Sequence, residues 1–181
     1  MTFRRARTEE QREARRRAIL GTAEEMLAEM PVAALSLNEL SRRVGLAKSN
    51  VLRYFETREA VLLELLDAAW REWLDGLAAE LRGGAPGAAV DERVEQVATA
   101  IARTLADRPT LCELASASSG VLERNISVPV AATFKRAALA NTDALGSLVR
   151  ELVPELPAPA KRCAAGSLWA ATQPSLSLIH I

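Results

Sequence analysis

Residues 35–62 read LSLNELSRRVGLAKSNVLRYFETREAVL, and this stretch decides the fold. Ser36 is placed to cap a short helix, with Glu39 three residues on to complete a capping box. Leu37, Leu40 and Val44 fall on one face at helical spacing. Gly45 follows at once, where a left-handed residue stops the helix and turns the chain. Leu46 is the apolar residue such a turn buries. A second helix, about 48–55, carries Val51 and Phe55 inward and leaves Lys48, Ser49, Asn50, Arg53 and Tyr54 outside. Thr57 then caps a further helix, with Glu59 in its first turn to suit the dipole. Two short helices around a glycine turn, the second presenting polar and basic residues, make the helix-turn-helix plan.

The segment resembles the DNA-binding domain of TetR/AcrR-type transcriptional regulators. The matching pattern is S-L-x-E-L-x-x-x-x-G-L-x-K followed by Y-F-x-x-R-E-A-V-L, strong over about 13–73. The resemblance implies an all-α chain with a three-helix head at 13–73, its helix-turn-helix at 36–55, and a body at 74–174 that binds an effector and dimerises. It implies a homodimeric repressor on a palindromic double-stranded DNA operator, released by a small-molecule effector. Lys48, Ser49, Asn50, Arg53 and Tyr54 are then expected in the major groove, with Ser36, Thr57 and Arg58 on phosphates. Two positions depart from the family pattern. Leu52 stands where a phosphate-contacting tyrosine is usual. Ala47 stands where a serine or threonine usually caps the recognition helix, and a missing cap costs about 1 kcal/mol. These departures support a competing reading, a helical small-molecule or protein-binding module with weakened DNA affinity.

The chain has 181 residues, 49% of them hydrophobic, enough to build a core. Lys+Arg and Asp+Glu both number 23, so the formal charge is zero and no general affinity for polyanions follows. The distribution is uneven. Arg4, Arg5, Arg7, Arg12, Arg15, Arg16 and Arg17 crowd the start, and Arg42, Arg43, Lys48, Arg53 and Arg58 recur around the helix-turn-helix. Basic residues beside such an element point to phosphate contact. Cys112 and Cys163 have no short spacing, fit a reducing compartment and read as small core residues. No secretory segment or run of transmembrane length is found, so a soluble cytoplasmic protein with no membrane partner is expected.

Outward from the quoted stretch, residues 1–7 are basic and aperiodic, and are expected to be a disordered arm for a minor groove or phosphates. Thr8 with Gln11 offers a capping box for a helix over about 9–29 that buries Ile19, Ala23, Met26, Leu27 and Met30 and ends before Pro31. The helix after Thr57 is expected to run about two dozen residues. Its stripe is Val61, Leu62, Leu65, Leu66, Ala69, Trp70, Trp73, Leu74, Leu77 and Leu81, and the glycine-rich stretch at 83–87 ends it. Four more helices are expected, at about 88–106, 110–124, 130–153 and 160–172. The first of these turns Val90, Val94, Val97, Ile101 and Leu105 inward. Pro174 is followed by SLSLIHI, too short and uncapped for a ninth helix. Residues 175–181 are therefore expected to be disordered, a truncated or foreign tail, leaving dimerisation to the seventh and eighth helices.

An enzyme finds little support. His180 is the single histidine, no residues have metal-ligand spacing, no nucleophile is paired with a base, and no cofactor loop is found. Trp70 and Trp73, at i and i+3, read first as core. The resemblance makes them walls of an effector pocket, with Leu77, Ile101, Leu105, Leu114, Ser118 and Phe134. Thr104, Asn125 and Thr133 are its polar candidates. Few charges fall on the inward stripes, which favours an uncharged, largely apolar effector. A ligand wedged beside the tryptophans would tilt the helix that joins the pocket to the head.

Overall fold

The computed structural model describes residues 2–83, 89–118 and 125–156, and all regular structure among them is helical. The elements are α1 (Thr2–Glu29), a 3-10 turn (Val32–Ala34), α2 (Leu37–Val44), α3 (Lys48–Val51), α4 (Arg58–Arg82), α5 (Val90–Ala106), α6 (Pro109–Ser118) and α7 (Val128–Leu152). The expected eighth helix, Cys163, His180 and the tail after Pro174 lie outside the described residues.

The punctuation residues act as their chemistry dictates. Ser36 Oγ accepts from the Glu39 amide at 3.2 Å, and Thr57 Oγ1 accepts from the Ala60 amide at 3.1 Å. Gly45 takes φ +72°, the left-handed conformation that ends α2. Pro129 sits in the first turn of α7, where its missing amide costs nothing.

Five local expectations fail, among them Cys112, expected in the core and exposed on α6 because it falls on the face turned away from buried Leu111, Leu114 and Ala115. α1 begins at Thr2, so the basic segment is helical backbone and Thr8 lies inside the helix instead of capping it. Arginine, alanine, glutamate and glutamine are strong helix formers, and no glycine or proline interrupts them before Gly21. The capping box at Ser36 is half formed, because the Glu39 carboxylate turns to Arg42 and Arg43. α3 ends at Val51, not Phe55. Beyond it the Arg53 amide bonds Asn50 O at 3.3 Å and the Tyr54 amide bonds Val51 O at 2.9 Å, tightening the chain into three-residue turns. Val90 and Val94, expected inward, are each 38% exposed among the described residues.

α4 is the axis of the molecule. It packs against α1, α5, α6 and α7. It is therefore buried well beyond the expected stripe: Glu59, Ala60 and Leu63 are also sequestered. Ile19, Met26, Leu35, Leu40, Val51, Phe55, Val61 and Leu62 fill the head end of one contiguous core. Trp73, Leu77, Val97, Leu111, Leu114, Leu145 and Val149 fill the other. No described helix is long and apolar enough to cross a membrane.

Candidate nucleic-acid interface

α3 is a single turn held from behind. Val51 and Phe55 are buried, and Lys48, Ser49, Asn50, Leu52 and Arg53 are exposed. Tyr54, expected outside, is half-buried against the core. No ion pair or side-chain hydrogen bond engages Lys48, Ser49, Asn50 or Arg53 among the described residues. Ala47 supplies no side-chain cap, as its methyl group dictates. Ser36 and Thr57 each use a hydroxyl lone pair on a helix cap, which leaves the O–H proton for an outside acceptor.

Several arginines of the head have partners within the protein. Arg16 donates from Nε to Glu64 Oε1 at 3.1 Å, pairs again through Nη2 with Oε2, and gives Nη1 to the Tyr54 carbonyl at 3.0 Å. Its guanidinium lies 4.4 Å from the centre of the Phe55 ring. One side chain thus binds the end of the reading turn to α4. Arg42 and Arg43 share Glu39, and Arg43 also reaches Glu29 at 2.7 Å. Hydrogen bonds from Arg42 and then Arg43 lower the Glu39 pKa to about 2, and both guanidinium pKa values rise in return.

Arg58, expected on a phosphate, is turned inward. Its Nη2 donates to the Val32 carbonyl at 2.6 Å, and its guanidinium stands 3.7 Å from Glu59. Val32 is buried in the 3-10 turn, where its carbonyl also accepts a long bond from the Leu35 amide at 3.4 Å, so Arg58 supplies the shorter of its two donors. The same residue's amide donates to Glu113 Oε1 of α6 at 2.8 Å. A second tie between head and body runs from the Ser127 amide to Glu56 Oε1 at 2.6 Å. A single charged residue on a helix carries no local sign of a partner tens of residues away, so none of these ties is legible in the sequence.

The expected effector residues gather around α4. Trp70 and Trp73 meet edge to face, centroids 4.9 Å apart at 74°. Trp73 is fully buried, and its Nε1 donates to Thr104 Oγ1 at 2.9 Å. Leu77, Leu114, Ser118 and Phe134 are buried, while Ile101 and Leu105 are half-buried. Asn125 and Thr133, expected near the pocket, are exposed. Phe134 lines a cleft of about 650 Å³ between head and body, with Leu63, Glu64, Asp67 and Val130. Nearby, Asn141 of α7 donates to Asp67 of α4 at 2.9 Å. No group of three or more His, Cys, Asp or Glu suited to a metal occurs among the described residues.

The family described as tetracyclin repressor-like, C-terminal domain, matches residues 67–178, and bacterial regulatory proteins, tetR family, matches residues 19–65. The HTH-type transcriptional regulator EthR of Mycobacterium tuberculosis (strain CDC 1551 / Oshkosh) is 44% identical over 50 residues. That stretch covers 28% of this chain and 23% of the regulator's own length. EthR of Mycobacterium bovis matches with the same figures. Among solved structures, the fatty acid degradation regulator FadR from Bacillus halodurans superposes with a TM-score of 0.56 over 88% of this chain and 82% of that one. At 16% identity this is a likeness of fold. A TetR transcriptional regulator from Rhodococcus sp. RHA1 gives a TM-score of 0.48 at 20% identity, covering 93% of this chain and 98% of its own.

Proposed function

Since this chain belongs to the tetR family of bacterial regulatory proteins, whose members regulate transcription through a helix-turn-helix, we propose that it is a repressor that binds a palindromic DNA operator as a homodimer and leaves it when a small-molecule effector binds. The observation that carries the reading is α3. It presents Lys48, Ser49 and Asn50, with Arg53 just after, unpaired to solvent on a support of buried Val51 and Phe55. Polar groups held on a rigid support and left unsatisfied are what base edges require. In this reading Lys48, Ser49, Asn50, Arg53 and the exposed edge of Tyr54 face the major groove, and the hydroxyls of Ser36 and Thr57 meet phosphates. Residues 13–73 act as the reading head and 74–174 as the effector and dimerisation body, joined through α4. Leu139 of α7 is 65% exposed, an apolar residue on a helix assigned to the twofold interface.

The effector would lodge between α4 and α5–α7, beside Trp70 and Trp73, where half-buried Ile101 and Leu105 give way most easily. Entry there would part the Trp73 indole from Thr104 and change its emission. Anisotropy titration of labelled duplexes from the gene's own upstream region, at several salt concentrations, tests the regulator reading. Tight, salt-dependent binding to one palindrome is expected. Binding to none would overturn it in favour of a helical module that has lost DNA affinity, a reading to which the exposed Leu52 lends its weight.

A further inference from the structure

We propose that Arg12 and Arg15 of α1, on the wall of a groove that Arg53 of the reading turn also lines, grip the phosphate backbone of operator DNA and extend the contact beyond the helix-turn-helix. The inference rests on the regulator reading. It starts from a sorting of the head's arginines by their partners. Arg16 is bound to Glu64, Arg42 and Arg43 to Glu39, and Arg58 to the Val32 carbonyl. Arg12, Arg15 and Arg53 are exposed and paired with no carboxylate among the described residues.

These three line one concavity of about 970 Å³, together with Gln11, Ala18 and Tyr54. Positions 11, 15 and 18 repeat at helical spacing, so one face of α1 forms the wall. Its lining carries three guanidiniums and no carboxylate. The neighbouring cleft between head and body differs, because Glu56, Glu64 and Asp67 there offset its arginines. The groove thus gathers three guanidiniums with no carboxylate in its lining. Like charges held close are mutually unfavourable, and an anion relieves that cost. Ala14 and Ala18 keep the wall low between the arginines, so a bulky backbone can approach. Guanidinium forks match phosphate oxygens bidentately, and the Gln11 amide adds a neutral donor.

The groove shares Arg53 and Tyr54 with the reading turn. A duplex seated on α3 therefore meets α1 without a gap, and its phosphates are the polyanion at hand. Arg12 and Arg15 would fix the register of the head on the duplex and read no sequence.

The test uses the full chain and its operator, with anisotropy measured across a salt series. Each neutralised phosphate contributes about 0.9 to the slope of log affinity against log salt. Arg12→Ala with Arg15→Ala removes two contacts from each protomer, so for the dimer the slope should fall by about 3.6, and operator and scrambled duplex should weaken by the same factor. Single Arg12→Ala and Arg15→Ala variants should each remove about half of that, which keeps the test open if the double variant folds poorly. Arg12→Lys with Arg15→Lys should keep most of the slope. A salt-dependent wild type with unchanged slopes in all the alanine variants would overturn the groove and leave the regulator reading standing. A wild type that binds no DNA would overturn both.

Discussion

Glu113 of α6 accepts a hydrogen bond from the amide of Val32 at 2.8 Å, across 81 residues of sequence, while Arg58 of α4 holds the same residue's carbonyl at 2.6 Å. The short turn that carries the chain from α1 into α2 is thus held at Val32 by α6 of the body on one side and by the first turn of α4 on the other. Glu113→Ala strands a buried amide and should destabilise the protein by about 1–3 kcal/mol. Glu113→Gln keeps a carbonyl acceptor in reach and should stay near wild type. Urea midpoints separate the two, and an alanine variant as stable as wild type would show that water fills the vacancy.

Asn50 and Arg53 should control which operator is preferred. Alanine at either position is expected to shift preference among base-substituted duplexes by about 1–3 kcal/mol, the worth of a good bidentate base contact. Arg58→Ala should behave differently. Its guanidinium is committed to Val32, so the expected loss is in melting temperature with the salt slope kept. A slope reduced by about 1.8 for the dimer, one contact per protomer, with unchanged stability would return Arg58 to the phosphates.

Glu39 gives the head an acid response. Its carboxyl is lowered from 4.5 to about 2 by hydrogen bonds from Arg42 and Arg43. A depressed folded-state pKa contributes stability that is complete above the unfolded value and lost as pH falls through the folded one. The contribution should therefore fade between about pH 4.5 and 2 and be absent in Glu39→Gln. Carboxyl chemical shifts followed by NMR should give a midpoint near 2. A midpoint at the ordinary value would mean that the Arg42 and Arg43 contacts do not persist in solution.

The uncapped start of α3 can be repaired. Ala47→Ser offers an acceptor to the orphan amides of the first turn and should stabilise the head by about 1 kcal/mol. Leu52→Tyr places a hydroxyl on an exposed site next to Arg53. It should tighten every duplex alike, with no change in preference, because a backbone contact carries no sequence information. Thermal melts check the first variant, and competition binding against scrambled DNA checks the second.

Ser36, Gly45, Thr57 and Pro129 were legible because each acts on amides within a few residues of itself. The helical period of α4 was legible for the same reason, and with it the all-α architecture. Arg16 was not. The arginine cluster that holds it reads as one basic surface, yet Arg16 turns in to Glu64 and Phe55 while Arg12 and Arg15 stay in solvent. That division is made by what α4 places opposite each residue, and no local pattern encodes it. Residues 2–7 misled in another way. Their charge pointed to an arm, and the helix propensity of the same arginines outweighed it.

α4 runs unbroken from Arg58 to Arg82, and the division proposed between reading head and body falls within it, at buried Trp73 and Leu74. Units that come apart are normally joined by exposed, polar linkers crossed by few contacts. Here the join is part of the core. A protease finds no extended segment there to enter, and a fragment cut at that point would expose two aromatic rings and a row of leucines. Head and body should therefore melt in one cooperative transition, with calorimetric and van't Hoff enthalpies in agreement. Mechanically they are a single piece of material, and the two roles divide a continuous solid.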